Sequence, residues 1–260
     1  MEKLFFDLGN SRIKFSSIYG DQYTYHGAYA LDTFIENIED YLFDEFAAPD
    51  AVYIVSVTSS EKLEAFKNAF FSHWGIIPIK LESQKEFMGL TTAYEDFATL
   101  GSDRWYAMVG ALSITKDPLL VIDAGTALTI DGVFEGQHVG GMIVPGLTAQ
   151  RNALLQTTSR INMHLPSSMA QGSVLASNTF DAVNSGCVYM TSAYLNTVIA
   201  DLNAELQTRL RIFLTGGDSD TLEFLIESPI TVVEDLVIKG MKSKVELIEK
   251  KRKKKFDTSN

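Results

Sequence analysis

Apolar residues recur along this chain in two rhythms, strand-like and helix-like, and the two alternate. Lys3 to Phe6 is a short apolar run. Ile13 to Ile18 reads as its hairpin partner, across the turn-like stretch Asp7-Leu8-Gly9-Asn10-Ser11. Asp32 is placed to cap a helix whose apolar positions Phe34, Ile35, Ile38, Tyr41 and Leu42 recur at helical spacing. Ala51 to Val57 predicts a strand. Thr58-Ser59-Ser60-Glu61 has capping-box spacing and opens a helix toward Trp74, with Gly75 as its stop. Ile76 to Ile79 predicts another strand, and Arg104 to Ser113 a helix.

A second cycle begins near residue 119. Leu119 to Ile122 and Leu128 to Ile130 are apolar runs flanking Asp123-Ala124-Gly125-Thr126-Ala127. Gly140 to Gly146 is glycine-rich around an apolar centre. Helices are expected at about 147–156 and 179–207, and a strand at Arg211 to Leu214 that ends in Thr215-Gly216-Gly217-Asp218. A short helix, a strand at Ile230 to Val233 and a last helix from about 236 complete the pattern. Strand, Asp-x-Gly turn, strand thus occurs at Asp7 and again at Asp123. The echo predicts a duplicated α/β domain, divided into 1–116 and 117–260. No short-period repeat is present, which argues against a solenoid or propeller.

Composition narrows the class. With 46% hydrophobic and 21% charged residues the chain can bury a large core, so wholesale disorder is excluded. The formal net charge of -11 makes the body a poor nucleic-acid binder, since phosphate contacts need a basic surface. Six consecutive basic residues, Lys250 to Lys255, form a tail expected to be a solvated, frayed end. Cys187 is the only cysteine, so neither an intrachain disulfide nor a multi-cysteine metal site can form. It is expected to be a buried structural thiol on a helix. The first residues lack the basic start and long apolar stretch of a signal peptide. No apolar run approaches the ~18 residues of a membrane helix. A soluble, cytoplasmic protein with no membrane partner is the expectation. His26, His73, His138 and His164 show no metal-ligand spacing.

Three glycine loops carry the candidate chemistry. In Asp7 to Lys14, Gly9 lets the backbone pass close to a ligand. Its N–H groups, with Asn10 and Ser11, can donate to phosphate oxygens, and Lys14 adds a positive charge. Asp7 would act through Mg²⁺ or water. By itself the motif is equally an ordinary Asp-x-Gly turn. Asp123 to Thr129 repeats it with hydroxyl donors, and two such loops can clamp one polyphosphate. Thr215 to Asp218 is placed where an adenosine could sit. Gly101-Ser102-Asp103-Arg104 precedes a helix: Asp103 could accept a hydroxyl proton and Arg104 could clamp a carboxylate. The same tetrapeptide also reads as a helix cap and a surface ion pair. No Gly-x-Ser-x-Gly elbow and no P-loop is present.

Taken together, the segments DLGNSRIK at 7–14, GSDR at 101–104, DAGTALTID at 123–131, GGMIVPG at 140–146, SNTFDAVNSG at 177–186, TGGD at 215–218 and DLVIKGM at 235–241 resemble the type III pantothenate kinases, within the actin-like and sugar-kinase superfamily. The resemblance covers nearly the whole chain. It implies an α/β fold of two tandem RNase H-like domains with the active site in the cleft between them. It implies ATP-dependent phosphorylation of pantothenate at its terminal hydroxyl, the first step of coenzyme A synthesis. A homodimer, Mg²⁺ and a monovalent cation (K⁺ or NH₄⁺) are implied with it. By position, Asp103 would be the catalytic base. Asp7, Leu8, Gly9, Asn10, Ser11, Arg12, Ile13, Lys14 and Thr126 would bind ATP. Tyr94, Gly101, Ser102, Asp103 and Arg104 would line the pantothenate site, with Thr179 reaching it from the facing subunit. Asp123 would hold the monovalent cation. Departures are Ser11 for a usual Thr, Phe15 for a common Trp, and Ala176-Ser177 for a usual Gly-Arg. A non-catalytic regulatory or accessory protein on the same fold is the alternative, and an exopolyphosphatase-like hydrolase a third. Presence of Asp7, Lys14, Asp103, Arg104, Asp123 and Thr126 argues against a dead enzyme.

Overall fold

A computed structural model describes residues 2–157 and 175–257, with the side chains of 252 and 255–257 outside that description. The chain divides into two compact units, Met1–Lys116 with Asp235–Asn260, and Asp117–Glu234.

In the first unit β1 (Glu2–Leu8), β2 (Arg12–Tyr19) and β3 (Gln22–Ala30) form an antiparallel meander. β4 (Ala51–Ser56) and the two-residue β5 (Ile79–Lys80) add in parallel, giving the order β3-β2-β1-β4-β5. Alternation along β1 sends Leu4, Phe6 and Leu8 into a core shared with α1 (Leu31–Glu36) and α2 (Ser60–Trp74). The opposite face carries Lys3, whose Nζ lies 2.6 Å from Glu249 on α7 (Leu236–Asp257). A small hairpin of β6 (Glu86–Phe87) and β7 (Leu90–Thr91) precedes α3 (Ser102–Ile114). Helix α2 starts one residue later than the capping-box spacing predicts: Ser59, not Thr58, caps it, accepting from Lys62 N–H, while Gly75 ends it as expected in the left-handed region at φ 69°.

The second unit repeats the plan. β8 (Leu119–Ala124), β9 (Ala127–Phe134) and β10 (Gln137–Pro145) are an antiparallel meander, and β11 (Arg211–Thr215) and β12 (Ile230–Val232) add in parallel beside β8. The order β10-β9-β8-β11-β12 therefore mirrors that of the first unit. Helices α4 (Leu147–Thr157) and α5 (Thr179–Glu205) cover one face, and α6 (Ser219–Leu222) follows β11.

Other expectations change as well. Ala30, not Asp32, stands at the start of the first helix, because Leu31 is drawn into the core and begins the turn. The predicted single helix there is a short α1 followed by a π-helical turn at Glu39–Phe43, which still buries Leu42 and Phe43. Residues 235–260 group with the first segment rather than with 117–234. The reason is α3 against α7: a Cβ at Gly110 would overlap the Leu236 carbonyl, and one at Gly240 the Tyr106 carbonyl. Two glycines thus let the helix backbones touch. Lys250 to Lys255 is not a frayed coil but continues α7. Neither β3 nor the β6–β7 hairpin was legible in the pattern.

Candidate active site

The turn between β1 and β2 is closed by Gly9 N–H donating to the Arg12 carbonyl at 2.9 Å. Asp7 lies in register with Lys14 across the hairpin and with Val55 of β4. Asn10, Ser11 and Arg12 are exposed at the tip, and the Ser11 carbonyl accepts from Leu31 N–H at 3.0 Å. Leu8 and Ile13 are fully buried, so these two can offer a ligand only backbone groups. A tip of exposed amide, hydroxyl and guanidinium donors suits an anion.

The start of α3 gathers a second set. Gly101 is the N-cap, and a Cβ there would lie 2.5 Å from Asp103 Oδ1. Only glycine leaves that space to the carboxylate. Asp103 Oδ1 accepts from Arg104 N–H at 2.8 Å, and its place in the first helical turn favours the negative charge. Arg104 is buried at 7% exposure. Its Nη1 donates to Tyr94 Oη at 3.0 Å, and its guanidinium carbon is 5.7 Å from the Tyr94 ring centroid. Tyr94 N–H in turn donates to Thr92 Oγ1 at 3.1 Å. Tyr94, Asp103 and Arg104, spread over eleven residues, are therefore one cluster. A guanidinium held this way is pre-organised for a carboxylate. Ser102 turns inward, its Oγ donating to the Ser56 carbonyl at a long 3.5 Å.

In the second unit Asp123 sits near the end of β8, opposite Thr129 and Thr215. The turn beyond it is built by backbone. Gly125 N–H donates to Ala127 O at 3.2 Å, Gly146 N–H to Thr126 O at 3.1 Å, and Asp218 N–H to Ala124 O at 2.9 Å. A Cβ on Gly146 would overlap the Gly125 carbonyl, and one on Gly216 (φ +101°) the Ala124 backbone. Three loops that read as separate turns thus lock into one knot, with Thr126 exposed at its tip. The Asp123 carboxylate lies 3.2 Å from where a Gly125 Cβ would stand. A carboxylate tucked against a tight turn rich in carbonyl oxygens is a donor set that a hard cation takes, so the residues fit such an ion.

Thr179 opens α5 behind its cap Asn178, whose Oδ1 accepts from Asp181 N–H at 2.9 Å. It lines a largely apolar groove of about 1150 Å³ between α4 and α5, with Leu154, Ala182, Cys187 and Met190. Cys187 is buried, and burial pushes its thiol pKa up, which fits a structural role. His138 is buried 3.0 Å from Asp131, His26 stacks on Phe15, and His73 stacks on Phe43. His164 lies outside the described residues. The structural demand on Gly146 and Gly216, and the hydroxyls of Thr92 and Ser83 behind the α3 cluster, had no sequence signal beyond residue type.

Against known proteins, the family profile described as type III pantothenate kinase matches residues 3–201. The type III pantothenate kinase of Hydrogenovibrio crunogenus is 37% identical over 245 residues, covering 94% of this chain and 98% of its own. That of Nitrosococcus oceani is 31% identical, covering 92% and 91%. Among solved structures, a Baf family protein of Campylobacter jejuni superposes with a TM-score of 0.57 at 22% identity, over 95% of this chain and 99% of its own. MreB 5 of Spiroplasma citri superposes with a TM-score of 0.50 at 13% identity, over 100% and 99%. The last two speak for fold alone, and the fold is the two-domain actin-like one. With the profile match and these two relatives, the chain belongs to the type III pantothenate kinases.

Proposed function

We propose that this protein transfers the γ-phosphoryl group of ATP to the terminal hydroxyl of pantothenate, opening coenzyme A synthesis. The observation that carries this reading is the start of α3, where a carboxylate and a buried, tyrosine-held guanidinium are consecutive residues. Pantothenate offers both complements, a hydroxyl to be deprotonated and a carboxylate to be clamped. Successive helix residues diverge by about 100°, so Asp103 and Arg104 address different parts of one substrate.

Asp103 accepts the hydroxyl proton as the oxygen attacks. In a loose phosphoryl-transfer transition state the proton leaves late, so the base needs position more than a raised pKa. Arg104 binds the pantothenate carboxylate, with Tyr94, Gly101 and Ser102 shaping the site. Asp7 to Lys14 and Thr126 hold ATP, and Asp123 holds K⁺ or NH₄⁺. Bound cations, Mg²⁺ included, supply charge neutralisation for the phosphates. Thr179 reaches substrate from the facing subunit of a homodimer. The apolar groove beside it, with Met190 and Leu154 exposed, supports a partner on that face. Cytoplasmic placement follows from the metabolic role. Among the described residues no helix is long and apolar enough to cross a membrane. No observation favours the regulatory or hydrolase readings.

The test is ADP release from purified protein with Mg·ATP, with and without pantothenate, in K⁺ and then Na⁺ buffer. Release that requires pantothenate and K⁺ is expected. Release without pantothenate would redirect the assignment to a hydrolase.

A further inference from the structure

The segment just after β5 is tied at four successive residues to four different parts of the first unit. Leu81 N–H donates to Ile54 O on β4 at 2.7 Å. The Glu82 carbonyl accepts from Tyr106 Oη on α3 at 3.4 Å. Ser83 Oγ donates to the Leu100 carbonyl at 2.7 Å. Gln84 Oε1 accepts from Lys244 Nζ on α7 at 2.5 Å. A strap tied at four successive residues to four different parts of the unit has little freedom of its own.

The third tie points at the candidate chemistry. Leu100 immediately precedes Gly101, the glycine whose missing Cβ leaves room for the Asp103 carboxylate. Ser83 and Leu100 are both buried, at 7% and 2% exposure, so this hydroxyl–carbonyl bond is shielded from competing water. On the other side of Gly101, Ser102 is turned to the Ser56 carbonyl. The peptide carrying Gly101 is therefore held at both ends before the helix begins. Glycine is the residue with the widest backbone freedom, and a catalytic carboxylate two residues beyond it needs that freedom removed.

We propose that Ser83 is a positioning residue for phosphoryl transfer. Through Leu100 it fixes the Gly101 peptide and so aims the Asp103 carboxylate at the substrate hydroxyl. It touches no reacting atom. The proposal rests on Asp103 being the base.

The test compares Ser83→Ala, Ser83→Thr, Asp103→Asn and the Ser83→Ala/Asp103→Asn double variant, each checked for folding by its thermal midpoint. Losing the tether is expected to lower kcat about tenfold, since small misplacements of a catalytic group carry large rate costs. The KM for ATP should stay within about twofold of the parent's. Ser83→Thr, which keeps the hydroxyl, should recover most of kcat. In the Asp103→Asn background Ser83→Ala should cost no further kcat, because the group it aims is already gone. A parent-like kcat for folded Ser83→Ala beside an inactive Asp103→Asn overturns the proposal alone. So does a full further tenfold loss in the double variant. Normal turnover by Asp103→Asn removes the base assignment and the proposal with it.

Discussion

The two Asp-x-Gly hairpins share a place in their units and differ in how they are built. The loop after Asp7 ends in exposed side-chain donors and is closed by one short bond, Gly9 N–H to Arg12 O. The turn after Asp123 is packed by backbone against Gly146 and the 216–218 loop, with no space for a Cβ at either glycine. The cores behind them differ as well. The first unit's cluster is ringed by Phe6, Phe15, Phe34, Phe43, Phe66 and Phe70, whereas the second unit's cluster beneath α5 is aliphatic apart from Cys187. One strand order is thus served by two packing chemistries, which volume-matched hydrophobic interiors allow. Exposed side chains shape the tip of the first hairpin, and close backbone packing shapes the second turn.

Gly216→Ala is the hardest blow to this contrast. It adds a Cβ where φ is +101° and where Ala124 backbone already stands, so a destabilisation of about 3 kcal/mol or more is expected. Urea unfolding measures it, and a loss under about 1 kcal/mol would show that the knot can relax. Asp103→Asn should do the reverse, lowering kcat at least ~100-fold while the unfolding midpoint and ATP affinity hold. Arg104→Ala should raise the pantothenate KM about tenfold or more, the scale of a lost charge-assisted hydrogen bond. An unchanged KM would remove its carboxylate role. Gly9→Ala meets only the Arg12 carbonyl at 3.2 Å, so it should cost about 1 kcal/mol or less and appear chiefly as weaker ATP binding.

The smallest effect concerns the aromatic core. Burial lowers the pKa of His26, which stacks on Phe15 with ring centroids 4.7 Å apart. Below the unfolded value of about 6.5 the unfolded chain binds this proton more readily than the folded one. Stability therefore falls as pH drops through 6.5 and levels off below the folded pKa. His26→Gln should flatten the fall in unfolding midpoint between pH 7.5 and 5.5, and an identical slope in both proteins would contradict it.

What the sequence showed was local. Turn composition placed the Asp7 and Asp123 hairpins, Gly75 placed the end of α2, and the 58–61 segment placed its start to within one residue, because caps and turns are decided by neighbours along the chain. The GSDR segment was legible as a pair of candidate roles. The tyrosine holding Arg104 was reached only by resemblance, since it lies ten positions back along the chain, before α3 begins. The closure of Gly146 and Gly216 on the Asp123 turn depends on strands far apart in sequence. The return of α7 to α3 through Gly110 and Gly240 likewise joins two helices far apart in sequence. A glycine in a sequence shows permission, not which backbone will use it. Strand β3 was missed because no residue in it is fully buried and its alternation breaks at Tyr25–Gly27, where the register against β2 shifts.

The most direct test of the account is the fate of pantothenate itself after incubation with Mg·ATP and the purified protein, followed by mass spectrometry. Pantothenate carrying one added phosphoryl group, formed in step with ADP by the parent and at least ~100-fold more slowly by Asp103→Asn, is the predicted result. ATP consumed while pantothenate stays unmodified would contradict it.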